Sequence, residues 1–364
     1  MRAAGQSFDS AMKHYSTLAT ELLEAIIPIR AYSFEEDARA AFIVDWLARQ
    51  GVDSARIGNN IWAKQVFNQD APTLMLCAHI DTVHAADSYT FDPINPPLDD
   101  ERIMGLGSND DGGCVVSMIA TYLYFKEKGS CPVNLLLLLS CEEERSGDGG
   151  TRSLGEFIKA NADMAIIGEP TRMRATIAES GLLVLDGTAT GRSAHAARAS
   201  EGENALYKAI EDIEILKAFR FDRISTTLGE VKLVVTQINA GNAHNVIPDS
   251  CTFVVDIRPN ECYDNHEIVD MLQKEVSSKL SARNFANRSN ATPKDSPLYK
   301  TAGKLGMEMI TSPTCSDWIS MPIPAIKIGP GDSTRSHKAD EFIFKSEIAE
   351  GIDKYITFIE NLAL

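Results

Sequence analysis

Leu74-Met75-Leu76-Cys77-Ala78-His79-Ile80-Asp81 is the stretch that decides the fold. Its first five residues are apolar without alternation, which reads as a strand buried on both faces. Strands of that kind belong to mostly parallel sheets covered by helices. His79 and Asp81 stand where the strand ends, and open α/β sheets bind ligands outside the carboxyl ends of their strands. Residues i and i+2 of an extended chain point the same way, so Asp81 can accept the proton of the second ring nitrogen of His79 and orient it. A turn acid beside a structural histidine would look the same.

Outward from this stretch the pattern recurs. Five leucines at 135–139 lead into Ser140-Cys141-Glu142-Glu143-Glu144-Arg145. Ala165-Ile166-Ile167 leads into Gly168-Glu169-Pro170-Thr171, and Ala325-Ile326-Lys327-Ile328 into Gly329-Pro330-Gly331 and then Ser336-His337. Helical spacing occupies 9–27, ending before Pro28, 36–50, stopped by Gly51, and 113–128. Strands alternating with helices predict an α/β domain with a mostly parallel sheet. Near residue 180 the pattern changes. Strands are expected at 182–190, 231–238, 252–258 and 283–290, with helices at 204–219 and 265–280. That β-α-β-β-α-β order is ferredoxin-like. The expected organisation is a catalytic α/β domain of residues 1–178 and 291–364, interrupted by an inserted α+β domain of residues 179–290. The insertion lets His337 return to His79.

The bulk properties narrow the function classes. The 364 residues suit two domains, and 44% hydrophobic content gives ample core. A net charge of −16, from 35 basic and 51 acidic residues, disfavours nucleic acid and anionic membrane as partners. Neither a secretory h-region nor a run of the ~20 apolar residues that span a bilayer is visible. Seven cysteines, an odd number without a Cys-x-x-Cys, suit free thiols in a cytoplasmic protein.

The chemistry lies at the strand ends. Gly105-Leu106-Gly107-Ser108-Asn109-Asp110-Asp111-Gly112-Gly113 opens a helix, but a dinucleotide fingerprint needs glycine at 110. A carboxylate there can bridge two cations, and Asp111 suits the cap of the following helix. Three glutamates after a buried strand repel one another unless metal ions compensate them. A second carboxylate can then serve as general base on an activated water. His79, Asp110, Glu144, Glu169 and His337 together form a mixed N/O set that suits zinc, with cobalt or manganese as substitutes. Each alone has a bland loop reading. Two polar motifs fall in the insertion, Gly191-Arg192-Ser193-Ala194-His195 and Asn242-Ala243-His244-Asn245-Val246-Ile247-Pro248. No Gly-x-Ser-x-Gly elbow of a serine hydrolase appears.

In this order and over nearly the whole chain, these motifs resemble the dinuclear zinc deacylases and exopeptidases. That family includes acetylornithine deacetylase, succinyl-diaminopimelate desuccinylase, aminoacylase and glutamate-releasing carboxypeptidases. The resemblance implies a zinc-exopeptidase-like mixed sheet with helices on both faces and an inserted ferredoxin-like lid and dimerisation domain. It implies two zinc ions, His79 and Glu169 on one, Glu144 and His337 on the other, Asp110 bridging. Glu143 would be the general base, Asp81 the orienter of His79, and His195 an oxyanion stabiliser reaching the partner subunit of a homodimer. The peptide after the bridging Asp would be cis. Here Asp111-Gly112-Gly113 follows it, where members often carry Met-Lys-Gly-Gly or Asp-Lys-Gly-Gly. Gly149 places base and ligand at Glu143/Glu144, with Glu142/Glu143 the alternative register. Gly-Leu-Gly-Ser-Asn-Asp, Ser-Cys-Glu-Glu-Glu and Gly-Pro-Gly-Asp-Ser-Thr-Arg-Ser-His look most like bacterial acetylornithine deacetylases. The implied substrate is an N-acyl amino acid such as acetylated or succinylated ornithine, in arginine biosynthesis. Asn245, Arg258, Thr334 and Arg335 are then candidates to grip its carboxylate. A dipeptidase or carboxypeptidase of the family, and a catalytically silent binding homologue, are the competing readings.

Overall fold

The computed structural model describes residues 2–364, with side chains from residue 12 onward. The chain forms two compact units. One runs to Ile177 and resumes over Thr292–Ile310 and Ser316–Leu364; the other comprises Ala178–Ala291 and Thr311–Cys315.

The first unit is built on a mixed sheet. Its strands lie in the order Ala55–Ile57, Asn60–Gln65, Asn134–Ser140, Thr73–His79, Met164–Ile167, Ala325–Lys327, Ala175–Glu179. The middle four are mutually parallel, and the flanking pairings are antiparallel. Thr73–His79 and Asn134–Ser140 are buried at every position, which is why neither alternates in polarity. Leu74, Leu76, Leu135 and Leu137 join the core shared with the helices Gly113–Lys128 and Lys345–Glu360. Met75, Cys77, Leu136 and Leu138 join a second core with Ile158 and Trp318 on the opposite face. Helical segments therefore cover both faces. The parallel strands bring four carboxyl ends to one edge. The Ala55–Ile57 hairpin strand and the Lys345–Glu360 helix were not anticipated.

The second unit follows a β-α-β-β-α-β order. Its antiparallel sheet runs Lys232–Ala240, Ser250–Arg258, Leu183–Thr190, Lys279–Ala282, with helices Ala205–Ala218 and Asn265–Glu275. The helix expected over 265–280 stops at Glu275, and the strand expected at 283–290 lies at Lys279–Ala282. Asp212 supplies the reason. Its carboxylate accepts the N–H groups of Ser277 at 3.0 Å and Ser278 at 2.7 Å, drawing the chain out of the helix. All seven cysteines are free thiols. Among the described residues, no helix is long and apolar enough to cross a membrane.

Candidate metal centre

The centre lies at the carboxyl edge of the parallel strands. His79 ends Thr73–His79, Glu143–Arg145 is the turn after Asn134–Ser140, and Glu169 follows Met164–Ile167. His337 returns on the loop beyond Ala325–Lys327. Ligand-type atoms of His79, Asp110 and Glu144 lie within 4.8 Å of one another, as do those of His79, Glu143 and Glu169. His79 Nε2 is 3.2 Å from Asp110 Oδ1 and 3.9 Å from Glu143 Oε2. His337 Nε2 is 2.9 Å from Glu144 Oε2 and 3.7 Å from Asp110 Oδ2. Asp110 thus offers one oxygen to each histidine.

The electrostatics describe a site short of positive charge. Burial pushes the Glu143 carboxyl well above its ordinary range, and Glu169 and Glu144 add to this against the pull of His79. Burial also lifts Glu169 well above, with Lys327 opposing, and raises Glu144. The buried Asp111 carboxyl is pushed up to about 7. Two imidazoles and a set of crowded carboxylates fit a pair of divalent cations, because dications supply the missing charge and accept N and O donors alike. The donor set alone does not choose among zinc, cobalt and manganese.

Local structure aims these groups. Gly107 takes φ 74°, and a Cβ there would lie 2.4 Å from Thr82 Cγ2, so only glycine makes this turn. The Asp110–Asp111 peptide is cis. Asp111 is not the helix cap expected of it. Its Oδ2 accepts the His79 N–H at 3.2 Å, and the following helix begins after Gly112 without a side-chain cap. Glu142 turns away, with Oε2 accepting the Gly149 N–H at 2.7 Å, which leaves Glu143 and Glu144 to face the cluster. Asp81 is fully buried; its backbone carbonyl is the nearer partner of His79 Nδ1, at 3.0 Å, and its carboxylate lies 3.4 Å from that nitrogen. Its Oδ1 accepts the Glu143 N–H at 3.1 Å, and its Oδ2 accepts the Glu144 N–H at 3.1 Å and the Ser33 hydroxyl at 2.7 Å.

The remaining candidates fare differently. Arg335 does not present its fork to a ligand. Glu347 fills it at 2.7 and 2.9 Å, and the guanidinium stacks 4.6 Å from the Phe342 ring centre. The adjacent Thr334 is exposed, its N–H donating to Asp332 Oδ1 at 3.0 Å. In the second unit, Arg258 is paired with Asp256 at 2.8 and 3.2 Å. His195 lies opposite Val246 in a two-stranded ladder, which joins the two polar motifs of the insertion. Its Nδ1 accepts the Ala197 N–H at 3.1 Å, and the Asn245 carbonyl accepts the Ala196 N–H at 2.9 Å. Beside this ladder is a cavity of about 520 Å³ lined by Ser193, Asn239, Asn242, Pro248 and Thr252.

Sequence reasoning missed several buried groups that hold the site. Glu36 Oε1 accepts the Glu142 N–H at 3.1 Å, and Arg39 donates to the Ile80 carbonyl at 2.8 Å. Asp317 accepts the hydroxyls of Ser140 and Thr151 below the acidic turn. Glu341 accepts three backbone N–H groups of the Gly-rich turn. These are long-range contacts, to backbone for Glu36, Arg39 and Glu341 and to hydroxyls for Asp317, which no local motif announces.

Comparison with known proteins finds relatives over most of the chain. Residues 75–361 match the model of peptidase family M20/M25/M40. A putative succinyl-diaminopimelate desuccinylase of Mycobacterium tuberculosis is 28% identical over 352 residues, covering 92% of this chain and 95% of that protein. The acetylornithine deacetylase of Proteus mirabilis is 28% identical over 311 residues, covering 80% of each. A Staphylococcus aureus tripeptidase structure superposes with TM-score 0.78 at 17% identity, covering 96% of this chain and 98% of that one. A dinuclear metal binding peptidase of Bacillus subtilis superposes with TM-score 0.73 at 13% identity, covering 96% and 99%. At those identities the structures speak to the fold.

Proposed function

We propose that this chain, which belongs to peptidase family M20/M25/M40 and is an amide hydrolase, removes an acetyl or succinyl group from an amino acid such as ornithine. The observation that carries the reading is Asp110 set between His79 and His337, with Glu143 alongside. His79 and Glu169 would hold one cation, Glu144 and His337 the other, and Asp110 both. The cations in this reading are zinc, which cobalt or manganese can replace. When bound they would acidify a water toward neutrality and polarise the acyl carbonyl.

The chain's own residues do the rest. Glu143 takes the proton of the attacking water and returns it to the leaving amine. Its buried setting favours that role, because burial raises the affinity of its carboxylate for the proton it must take up. Asp81 holds Glu143 and Glu144 by their peptide N–H groups and orients His79. His195 would stabilise the oxyanion from the partner subunit of a homodimer, and Asn245, Arg258 and Thr334 remain candidates for substrate contacts. An exposed edge strand, Lys232–Ala240, with Val234 57% and Ile238 44% exposed, supports a dimer through the second unit. The proposal places the enzyme in the cytoplasm, in arginine biosynthesis. Free cysteines suit that compartment.

The Mycobacterium tuberculosis relative, at the same 28% identity, gives succinyl-diaminopimelate equal standing as substrate. A panel of acetylornithine, succinylornithine, acetylcitrulline, succinyl-diaminopimelate and dipeptides, with zinc or cobalt added, tests the reading. Preferred cleavage of an acylated amino acid supports it. Preference for dipeptides replaces it with a peptidase, and hydrolysis of none favours a silent binding protein.

A further inference from the structure

Two segments carry the groups on either side of the second cation position: the turn Gly105 to Asp110 and the loop Asp332 to Glu341, which holds His337. The structure laces them together at both ends. Glu341 is only 3% exposed. Its Oε2 accepts the Gly107 N–H at 3.0 Å, and its Oε1 accepts the N–H groups of Asn109 and Asp110 at 2.9 Å each. Its own carbonyl accepts the Gly105 N–H at 2.9 Å. Immediately beyond it, Phe342–Phe344 pairs with Arg102–Met104, just ahead of the turn. Asn109 closes the other end. Its Nδ2 donates to the Asp332 carbonyl at 3.1 Å and to Ser336 Oγ at 3.4 Å, and its Oδ1 accepts the Asp332 N–H at 2.9 Å.

The choice of a carboxylate here has a physical reason. Burial and the charge of Asp110 disfavour a carboxylate at Glu341, and the three N–H donors oppose them. A negative group beside a crowded anionic site is unfavourable, so its presence needs an offsetting demand. That demand is the turn itself, whose convergent N–H groups form a nest for an anion. Only an acceptor-only side chain satisfies the nest at both oxygens; glutamine would point an NH₂ group at a donor.

We propose that Glu341, with Asn109, is a positioning residue that sets the spacing of Asp110 from His337 and so governs loading of the second cation position. The proposal rests on the metal-centre reading above. Glu341 acts through the turn and touches neither substrate nor cation.

The test is Glu341→Gln in the full chain, stripped of metal and titrated with cobalt chloride by calorimetry and visible absorption. We expect an unchanged far-ultraviolet spectrum, a second cobalt affinity weakened by about 10–100-fold and an altered cobalt absorption band. The turnover number should fall by a similar factor with little change in KM. Glu341→Asp, which keeps both acceptor oxygens one methylene short, should recover part of the loss. A two-site titration and cobalt spectrum identical to wild type would overturn the proposal. If wild type itself takes up no cobalt, the metal-centre reading fails instead. Should Glu341→Gln not fold, Asn109→Ala carries the same test from the other end of the lacing. Weakened second-site cobalt binding supports the proposal, and wild-type binding refutes it.

Discussion

Replacing Asp81 by asparagine should loosen the acidic turn without removing a ligand or the base. In the wild type each carboxylate oxygen receives one peptide N–H, from Glu143 and from Glu144, both at 3.1 Å. Asparagine keeps one of these oxygens and puts an NH₂ group in place of the other. If that group faces Glu144, the Ser33 hydroxyl can rotate to accept from it, but the Glu144 N–H cannot. If it faces Glu143, the Glu143 N–H is the one orphaned. Either way a peptide donor at the turn loses its acceptor, which costs about 1–3 kcal/mol. His79 keeps the Asp81 carbonyl 3.0 Å from Nδ1 but loses a charged neighbour at 3.4 Å, and changes to such outer partners typically lower metal affinity or activity ~10–100-fold. Urea unfolding and kcat/KM on the best acylated substrate are the assays. The midpoint should fall at unchanged slope, and kcat/KM should drop by one to two orders of magnitude. Wild-type stability together with wild-type kcat/KM would refute the argument that Asp81 holds the turn.

Gly329→Ala should disable the site from its floor. The added Cβ would lie 2.4 Å from Cys114 Sγ and 2.5 Å from the Glu169 carbonyl oxygen. Displacing Glu169 by an ångström should lower turnover by about 10²-fold, and undiminished turnover would contradict that placement. Asp212→Asn should destabilise the protein near pH 7 by about 1–3 kcal/mol. The sign of its pH dependence follows from the wild-type carboxyl. Burial raises it, but the hydrogen bonds from Ser278 and Ser277 hold it below the ordinary value of 3.8. Its stabilisation is therefore present above the ordinary carboxylate pKa and is lost as pH falls through the lower folded value. Urea unfolding of both proteins from neutral to acid pH should show the gap narrowing only in strong acid, and a gap that widens there would contradict it.

The sheet was legible because its central strands are buried on both faces, so Leu74–Ala78 and the five leucines could be nothing polar. His79, Asp110, Glu144, Glu169 and His337 were legible for a related reason. Each alone had a bland loop reading, but five such residues at strand ends or in Gly-rich loops point to one place, and the structure gathers them at one edge. The role of Glu341 was not visible in sequence, because its partners are peptide N–H groups more than two hundred positions away. Arg335 misled for the complementary reason. A guanidinium in a Gly-rich loop looks available until Glu347, on the next helix, closes on it. The helix over 265–280 was drawn too long because apolar spacing persists past Glu275, whereas Asp212, from the other helix, captures the N–H groups that would have continued it.

The central claim is that Glu143 moves the proton while its neighbours hold two cations. The most direct measurement is metal content of reconstituted Glu143→Ala by elemental analysis, beside its turnover of acylated ornithine and succinyl-diaminopimelate. The account predicts near wild-type metal content with turnover reduced by about 10²–10⁴-fold. Near-normal turnover, or a loss of activity matched by an equal loss of metal, would contradict it.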